Sequence, residues 1–293
     1  MRKILIYAII AVIALMIGLV AFSSPIISGI SELFSSRKTA QTVDLTDAVH
    51  LSLVSDKDIT ITEEGVYVIS GFATDSSIVV DGADGAKIQL VLDGVSVANQ
   101  SAPVIYIKSA EQVIITTTTS DNDLKVTGTY STEKDTHLDA VIYAKDDLIL
   151  NGLGTLNIIS AYGNGISAKD TLTITGGSYS IVAQQNGLEA HDAIKISGGN
   201  FTISSGRDAL HSENKKDPSV GSVHITDGEF DITAGDDAIR ATTTMQIDGG
   251  TLHILSCTEG IEGTFVQIND GDITIFATDD GINATKKSNH PVS

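Results

Sequence analysis

The stretch TLTITGGSYSIVAQQNGLEA, residues 171–190, decides the fold because it contains one complete unit of a repeating pattern. Apolar residues alternate with polar ones around Leu172 and Ile174, and the alternation returns around Tyr179 and Ile181 after a Gly-Gly turn. Alternation with a period of two is typical of a β-strand that presents one side to a core. The stretch therefore predicts short strands separated by tight turns.

The same pattern occurs six times from Asp147 onward. Each unit has an opening apolar pair, a turn, a second apolar pair, and a third element in which Asn, Asp or Glu precedes a small and an aliphatic residue. The openings are spaced by 24, 22, 29, 22 and 21 residues, and the longest spacing contains an insertion at 214–221. The opening pairs are Leu148/Leu150, Leu172/Ile174, Ile194/Ile196, Val223/Ile225, Met245/Ile247 and Val266/Ile268; the second pairs are Leu156/Ile158, Tyr179/Ile181, Phe201/Ile203, Phe230/Ile232, Leu252/Ile254 and Ile273/Ile275.

One such unit cannot bury its own apolar side, but stacked units can bury a continuous core. A propeller blade needs about 40 residues, and a leucine-rich repeat needs a Leu/Asn signature that this sequence lacks. The pattern therefore predicts an all-β fold, a single-stranded parallel β-helix with coils of roughly 22 residues. We expect this domain to span residues 43–285, with irregular coils over 43–146 and regular coils over 147–285. The usual crossover preference favours right-handed winding.

The N-terminal half of the domain repeats less regularly. Ala102–Lys108 resembles Asp139–Lys145, and both segments precede an apolar run, which extends the stack into this half. We expect a longer loop at 119–137. We also expect the first strands, within 43–61, to cap the open end, because an uncapped strand edge invites aggregation. The other strands predicted here are 66–70, 77–80, 88–92, 104–107 and 113–117.

The N-terminus is apolar and non-globular. Arg2 and Lys3 precede an apolar run at Ile4–Phe22, which is close to the ~20 residues needed to span a bilayer. We interpret residues 1–24 as a hydrophobic helix that is either a signal peptide or a membrane anchor, and 25–42 as a linker. Because basic residues favour the cytoplasmic side, the domain is expected to be extracellular or on the cell surface. Residues 286–293 are interpreted as a C-terminal tail.

The composition is strongly acidic, with a net charge of −19. Such a surface repels nucleic acid and anionic lipid and attracts cations. The single cysteine, Cys257, excludes an intrachain disulfide framework and is interpreted as an apolar filler. Trp is absent, which disfavours flat binding to crystalline cellulose through aromatic platforms. An acidic polymer bridged by cations fits this composition better.

The third element of each unit predicts a column of oxygen-bearing side chains, because stacking brings equivalent residues about 4.8 Å apart. Two carboxylates at that distance repel by about 3.5 kcal/mol at an effective dielectric of ~20. Ca²⁺ would relieve the repulsion, since it takes about six to eight oxygen ligands. The predicted calcium ligands are Asn164, Asn186, Asp208, Asp236, Asp237, Glu259, Asp279 and Asp280.

A second interpretation of this column stays open, because Asn-Gly and Asp-Gly pairs also form turns without any metal. Asn164 and Asn186 look like such turn residues. The position three residues further along each unit points outward and is expected to meet a ligand. The predicted carbohydrate-binding residues are Glu189, His211, Arg240 and Glu262 at that position, with Tyr162 as an exposed aromatic residue.

Four motifs carry a resemblance to a known family: Gly65-Val-Tyr-Val-Ile-Ser-Gly71, the apolar run Ile88–Gly94 ending in Asp-Gly, Lys145-Asp-Asp-Leu-Ile-Leu-Asn-Gly152, and Asn164-Gly-Ile-Ser-Ala-Lys-Asp170. They resemble the bacterial and archaeal carbohydrate-binding β-helix proteins, which look like polysaccharide lyases in fold. The resemblance spans residues 43–284. It implies right-handed winding and calcium-dependent binding of acidic polysaccharides such as pectin at the cell surface. Asn164, Asn186 and Glu259 stand where this family often has Asp.

Three classes of function remain. A β-helix lyase needs a basic residue beside a calcium-bound uronate, but the carboxylates around Arg240 favour its protonated form. A glycosidase needs two carboxylates, and Asp237 and Asp280 would lie roughly 9.6 Å apart, near the limit for an inverting enzyme, with Glu259 between them. We therefore predict an extracytoplasmic, calcium-dependent binder of acidic polysaccharide and assign no catalytic residue. A lyase or glycosidase, or an adhesive surface scaffold, are the alternatives.

Overall fold

The computed structural model describes residues 43–133 and 136–284, and this part of the chain is all β, without a helix. Twenty-three strands form one sheet that winds through about ten coils. The predicted parallel β-helix is therefore confirmed. The strands are β1 (Val49–Ser52), β2 (Ile59–Ile61), β3 (Gly65–Thr74), β4 (Ile78–Asp81), β5 (Lys87–Asn99), β6 (Ile105–Ser109), β7 (Gln112–Thr117), β8 (Asn122–Val126), β9 (Thr132–Glu133), β10 (Thr136–His137), β11 (Ala140–Ala144), β12 (Leu148–Gly152), β13 (Thr155–Ser160), β14 (Asn164–Ala168), β15 (Thr171–Ile174), β16 (Ser178–Ala183), β17 (Leu188–Ala190), β18 (Ala193–Ser205), β19 (Leu210–Ser212), β20 (Ser222–Ala234), β21 (Ile239–Ile247), β22 (Thr251–Cys257), β23 (Ile261–Ile268), β24 (Asp272–Ala277) and β25 (Ile282–Ala284).

The coils have three faces, and each strand of the main sheet pairs in parallel with the equivalent strand of the next coil. Strands β9 and β10 form a separate antiparallel pair. The opening apolar pairs form the first face, where Leu148 lies opposite Leu172, and Leu172 opposite Ile194. The second pairs form the second face, where Tyr179 lies opposite Phe201. The register predicted from the repeat is confirmed on both faces through the last unit. The third face consists of β2, β4, β6, β11, β14, β17, β19, the first residues of β21 and β23, and β25.

The N-terminal half continues the stack, and two expectations about it were wrong. Strand β8, Asn122–Val126, lies inside the segment expected to be a loop and pairs with β5 and β13 on the second face. The segment expected to cap the end instead forms the first coil, because β1 pairs in parallel with β3, and β2 with β4. The five other strands predicted in this half are confirmed as β3, β4, β5, β6 and β7, although β4 and β6 begin one residue later than predicted, at Ile78 and Ile105.

Inward-facing side chains fill the stack as one continuous core. Tyr179, Phe201 and Phe230 face inward as predicted and are at most 3% exposed. Their rings stack from coil to coil, with centroids 5.0 Å apart for the first pair and 4.5 Å for the second. Cys257 is also buried, in agreement with its predicted role as a filler. Successive coils are therefore joined by side-chain packing as well as by backbone hydrogen bonds.

The turn between the first and second faces requires glycine. Gly199 has φ +116°, a value that side chains with a Cβ rarely adopt. A Cβ placed there would lie 3.1 Å from the carbonyl oxygen of Gly177 and 3.1 Å from the ring of Phe201. Glycine at this turn therefore allows adjacent coils to approach closely, which preserves the alignment of the third face.

Within the described part of the chain, no helix is long and apolar enough to cross a membrane. The apolar run Ile4–Phe22, the linker at 25–42 and the tail at 286–293 lie outside the described residues. Their predicted roles stay predictions.

Candidate functional site

The candidate site lies along the third face, where the strands align the predicted residues in two neighbouring columns. Ser167 lies opposite Glu189, Glu189 opposite His211, and His211 opposite Arg240. Arg240 in turn lies opposite Glu262. The second column starts three residues before each of these, and we call it the acidic column. It consists of Asn164, Asn186, Asp208, Asp237, Glu259 and Asp280.

The first members of the acidic column connect one coil to the next through their side chains. Asn164 Oδ1 accepts the backbone N–H of Asn186 at 2.9 Å, and Asn186 Oδ1 accepts that of Asp208 at 3.2 Å. Asp208 Oδ1 continues the series by accepting the N–H of Asp237 at 3.1 Å. Each of these three side chains thus satisfies a backbone donor that lies just before a strand of the next coil. Their predicted roles as turn residues or calcium ligands stay predictions.

Glu189 accepts hydrogen bonds from four side chains at the N-terminal end of this column. Its Oε2 accepts hydrogen bonds from Asn164 Nδ2 at 3.1 Å and Asn186 Nδ2 at 2.9 Å. Its Oε1 accepts hydrogen bonds from Ser167 Oγ at 3.2 Å and from Lys169 Nζ at 3.3 Å. Burial alone would raise the pKa of Glu189, but Lys169, the hydrogen bond from Asn186 and the charge of His211 hold it below its ordinary value. Glu189 is therefore a negative charge that the protein itself already satisfies.

Asp208 is fully buried yet charged. Its Oδ2 lies 2.5 Å from Nδ1 of His211, whose Nε2 is 3.6 Å from Oε2 of Glu213. Burial would raise the pKa of Asp208, but the hydrogen bond and charge of His211, with the N–H of Asp237, lower it below its usual value. His211 thus stabilises the buried carboxylate and is itself only 7% exposed.

Two groups of carboxylates follow along the column, and they share Asp237. In each group, one oxygen per residue lies within 4.8 Å of the others. Burial raises the pKa of Asp237 to about 8, together with its hydrogen bond to Glu262 and the repulsion from neighbouring acids. Asp237 and Glu262 therefore share a proton at neutral pH in the absence of a cation. The first group is Asp208, Asp236 and Asp237, and the second is Asp237, Glu259 and Glu262.

Arg240 compensates part of the negative charge of the second group. Its Nε lies 3.3 Å from Glu262 Oε2 and 3.8 Å from Asp237 Oδ2. Arg240 also reaches the first group through Asp237, and His211 pairs with Asp208 there. The carboxylate oxygens of this group are ligands that suit Ca²⁺. Three carboxylates supply fewer oxygens than the about six to eight that Ca²⁺ takes, so backbone carbonyls and water would complete the shell. The donor set of this group fits a hard divalent cation.

The other predicted residues lie apart from these two groups. Asp279 and Asp280 are exposed at the last coil and belong to neither group. Tyr162 is 56% exposed at the corner before the third face. The side-chain oxygens of Asn164 and Asn186 accept hydrogen bonds from the backbone of the next coil. Whether these residues bind a ligand stays a prediction.

Sequence reasoning missed the basic part of this face. Lys169 contacts Glu189. Tyr106 and Tyr143, with Lys108 and Lys145, lie on the two coils before Asn164. The likeness between Ala102–Lys108 and Asp139–Lys145 contained the signal, because it aligns both tyrosines and both lysines. Their contacts with one another could not be deduced from that likeness.

Comparison with known proteins assigns the chain to a family. The family model described as "Carbohydrate-binding domain-containing protein" matches residues 55–290. The chain belongs to this family. A relative from Acetivibrio thermocellus with the same description is 38% identical over 133 residues, which make up 44% of this chain and 46% of the relative. The chain therefore aligns with about half the length of that relative.

A solved structure shares the fold of this carbohydrate-binding family member. It is described as the gadolinium derivative of the polysaccharide lyase-like protein from C. thermocellum. The two superpose with a TM-score of 0.67 and are 31% identical, over 81% of this chain and 99% of that one. The resemblance to carbohydrate-binding, lyase-like β-helix proteins is thus confirmed.

Proposed function

We propose that this protein is an extracytoplasmic, calcium-dependent binder of acidic polysaccharide, and that the third face of its β-helix is the binding surface. The carbohydrate-binding family supports the substrate class. The calcium dependence and the preference for an acidic glycan rest on the chemistry of the side chains. The location outside the cytoplasm rests on the apolar N-terminal sequence.

The observation that carries the proposal is the pair of carboxylate groups joined at Asp237. Burial raises the pKa of Asp237, and repulsion between carboxylates placed this close raises it further. A bound Ca²⁺ would displace the proton from Asp237 and replace repulsion with coordination.

An acidic polysaccharide fits this surface because a bound Ca²⁺ can be shared. Three protein carboxylates leave positions in the coordination shell that a sugar carboxylate can fill. Direct approach of a sugar carboxylate to the two carboxylate groups would be unfavourable, because like charges repel. The cation thus acts as a bridge between two anionic partners, and a neutral glucan would lack the charged group that completes it.

A lyase reaction is less consistent with the geometry. Arg240 lies between the carboxylates of Asp237 and Glu262, and an arginine so placed keeps its proton. His211 is hydrogen-bonded to buried Asp208 rather than directed at an open cleft. Neither side chain is placed as an available base, so binding without cleavage remains the favoured function.

The test is binding of polygalacturonate, measured by calorimetry with millimolar Ca²⁺ and again with EGTA. We expect binding in Ca²⁺, none to a neutral β-glucan, and a loss of about tenfold or more, ~1.4 kcal/mol, for Asp236→Asn. The exposed Asp121→Asn removes the same charge elsewhere and should bind like wild type. Unsaturated sugar products would instead identify a lyase. Absence of binding to either polymer would favour the scaffold.

A further inference from the structure

At the N-terminal end of the third face, lysines and tyrosines lie beside the start of the acidic column. Tyr106 lies opposite Tyr143, and Lys108 and Lys145 each lie two residues further along. Ala144 pairs with Ala168, so the next residue, Lys169, occupies the position equivalent to Lys145. Lys108, Lys145 and Lys169 therefore lie on successive coils, and we call them the lysine column.

Each lysine of this column is held against an aromatic ring. Lys108 Nζ lies 5.1 Å from the centre of the Tyr106 ring, and Lys145 Nζ lies 5.6 Å from the same ring. Lys169 Nζ lies 5.1 Å from the ring of Tyr143. Such contacts position an ammonium group without neutralising it, since the ring carries no net charge. All three lysines are half-buried, so part of each stays open to solvent.

A purely structural role accounts for only part of this arrangement. The tyrosines form a small apolar cluster with Leu138 and Ala140, separate from the main core, and the lysine stems cover it. Two ammonium groups lie near the ring of Tyr106, although one lysine stem would be enough to cover that ring. Three like charges on coils about 4.8 Å apart also repel one another. The column therefore favours the approach of anions.

The three positions differ in how far the protein itself balances them. Lys169 lies 3.3 Å from Glu189 Oε1 and 3.8 Å from Asp139 Oδ2, so its charge is largely compensated. Lys145 Nζ has a cation–π contact with Tyr106 and lies near the charge of Asp146. An added anion would therefore gain more at Lys145 than at Lys169.

We propose that the lysine column is a subsite that binds the carboxylates of consecutive acidic sugar units directly, without a metal ion. The inference rests on the proposed binding of acidic polysaccharide and adds a second mode of contact to it. The rise from one coil to the next is close to the length of one sugar ring. A chain lying along the third face can therefore present successive carboxylates to Lys108 and Lys145, and reach the calcium-binding groups further along.

The experiment measures binding of a galacturonate hexamer to the full chain in low salt, with EGTA and then with Ca²⁺. The test variant is Lys108→Gln/Lys145→Gln. The control variant, Lys125→Gln/Lys195→Gln, removes the same charge from the second and first faces. Circular dichroism establishes that both variants are folded. In EGTA we expect the test variant to lose about tenfold or more in affinity, and the control to change by less than about threefold.

The outcomes separate this inference from the proposed function. Binding by wild type only in Ca²⁺ would refute the lysine subsite and leave the calcium-dependent function standing. Binding in EGTA that needs Lys108 and Lys145, and that Ca²⁺ does not strengthen, would support the subsite and refute calcium dependence. Equal losses in the two lysine variants would overturn the subsite, because net charge alone would then explain binding. No binding under either condition would overturn both.

Discussion

Asp237→Asn should stabilise the cation-free protein above neutral pH. Burial and the neighbouring carboxylates raise the pKa of Asp237 from 3.8 to about 8, so the folded protein binds more protons than the unfolded chain between these values. The free energy of unfolding therefore falls as the pH rises through this window, and the whole of this loss is present above pH 8. Asparagine keeps the shape of the side chain and removes its charge, so the variant should lack this deficit.

The size of the effect follows from the same difference. A rise in pKa from 3.8 to about 8 would correspond to roughly 6 kcal/mol if it belonged to Asp237 alone. Asp237 shares its proton with Glu262 and lies near Arg240, so the variant should gain only about 1–3 kcal/mol at pH 9. For a domain of this size, that corresponds to an increase of roughly 3–10 °C in Tm.

The assay is thermal unfolding followed by circular dichroism from pH 4 to pH 9, in EGTA and in excess Ca²⁺. In EGTA, wild type and Asp237→Asn should coincide near pH 4 and separate as the pH rises, whereas Asp121→Asn should follow wild type. In Ca²⁺ the difference between the two proteins should shrink, because wild type gains about 2.7 kcal/mol at a hundredfold excess over Kd and the variant gains less.

Two results would refute this reasoning. If Asp237→Asn unfolds at or below the wild-type Tm at pH 9 in EGTA, the charge of Asp237 does not destabilise the cation-free protein. If Ca²⁺ raises the Tm of both proteins equally, Asp237 is not a ligand.

Two further substitutions probe the scaffold around the site. Phe201→Ala removes the middle ring of the aromatic stack and should cost about 3–5 kcal/mol in urea unfolding, whereas Phe72→Ala, at a side chain 66% exposed, should cost less than about 1 kcal/mol; similar losses would contradict the stacking argument. Asn186→Ala leaves the backbone N–H of Asp208 and Oε2 of Glu189 each without one hydrogen bond and should cost about 1–3 kcal/mol in the same assay. An unchanged free energy of unfolding would show that the side-chain hydrogen bonds along the acidic column contribute little to stability.

The fold could be predicted because its period is encoded locally. Apolar alternation and glycine turns specify each coil, and stacking identical units determines register without knowledge of distant contacts. The prediction failed where the period is interrupted: β8 was missed because the sequence around Asn122–Val126 is polar and leads into an insertion. The first coil was taken for a cap because its strands, Val49–Ser52 and Ile59–Ile61, are short.

The candidate site could be predicted only as a set of positions. The repeat placed Asn186 and Asp208 in one column, but it could not show that their side-chain oxygens accept backbone N–H groups of the next coil. The same limit applies to His211, whose contact with Asp208 depends on side-chain rotamers. Burial and hydrogen bonding, which decide the charge state of Asp237, follow from the packing of whole coils.

The constant rise of the stack gives the third face the properties of a molecular ruler. If each coil contacts one sugar unit, affinity should increase with each unit added to an oligosaccharide, because every new contact forms at high effective concentration. The increase should end once the oligomer spans the coils from Lys108 to Glu262. Gain or loss of a whole coil would then alter the preferred glycan length while leaving the chemistry of each remaining contact intact.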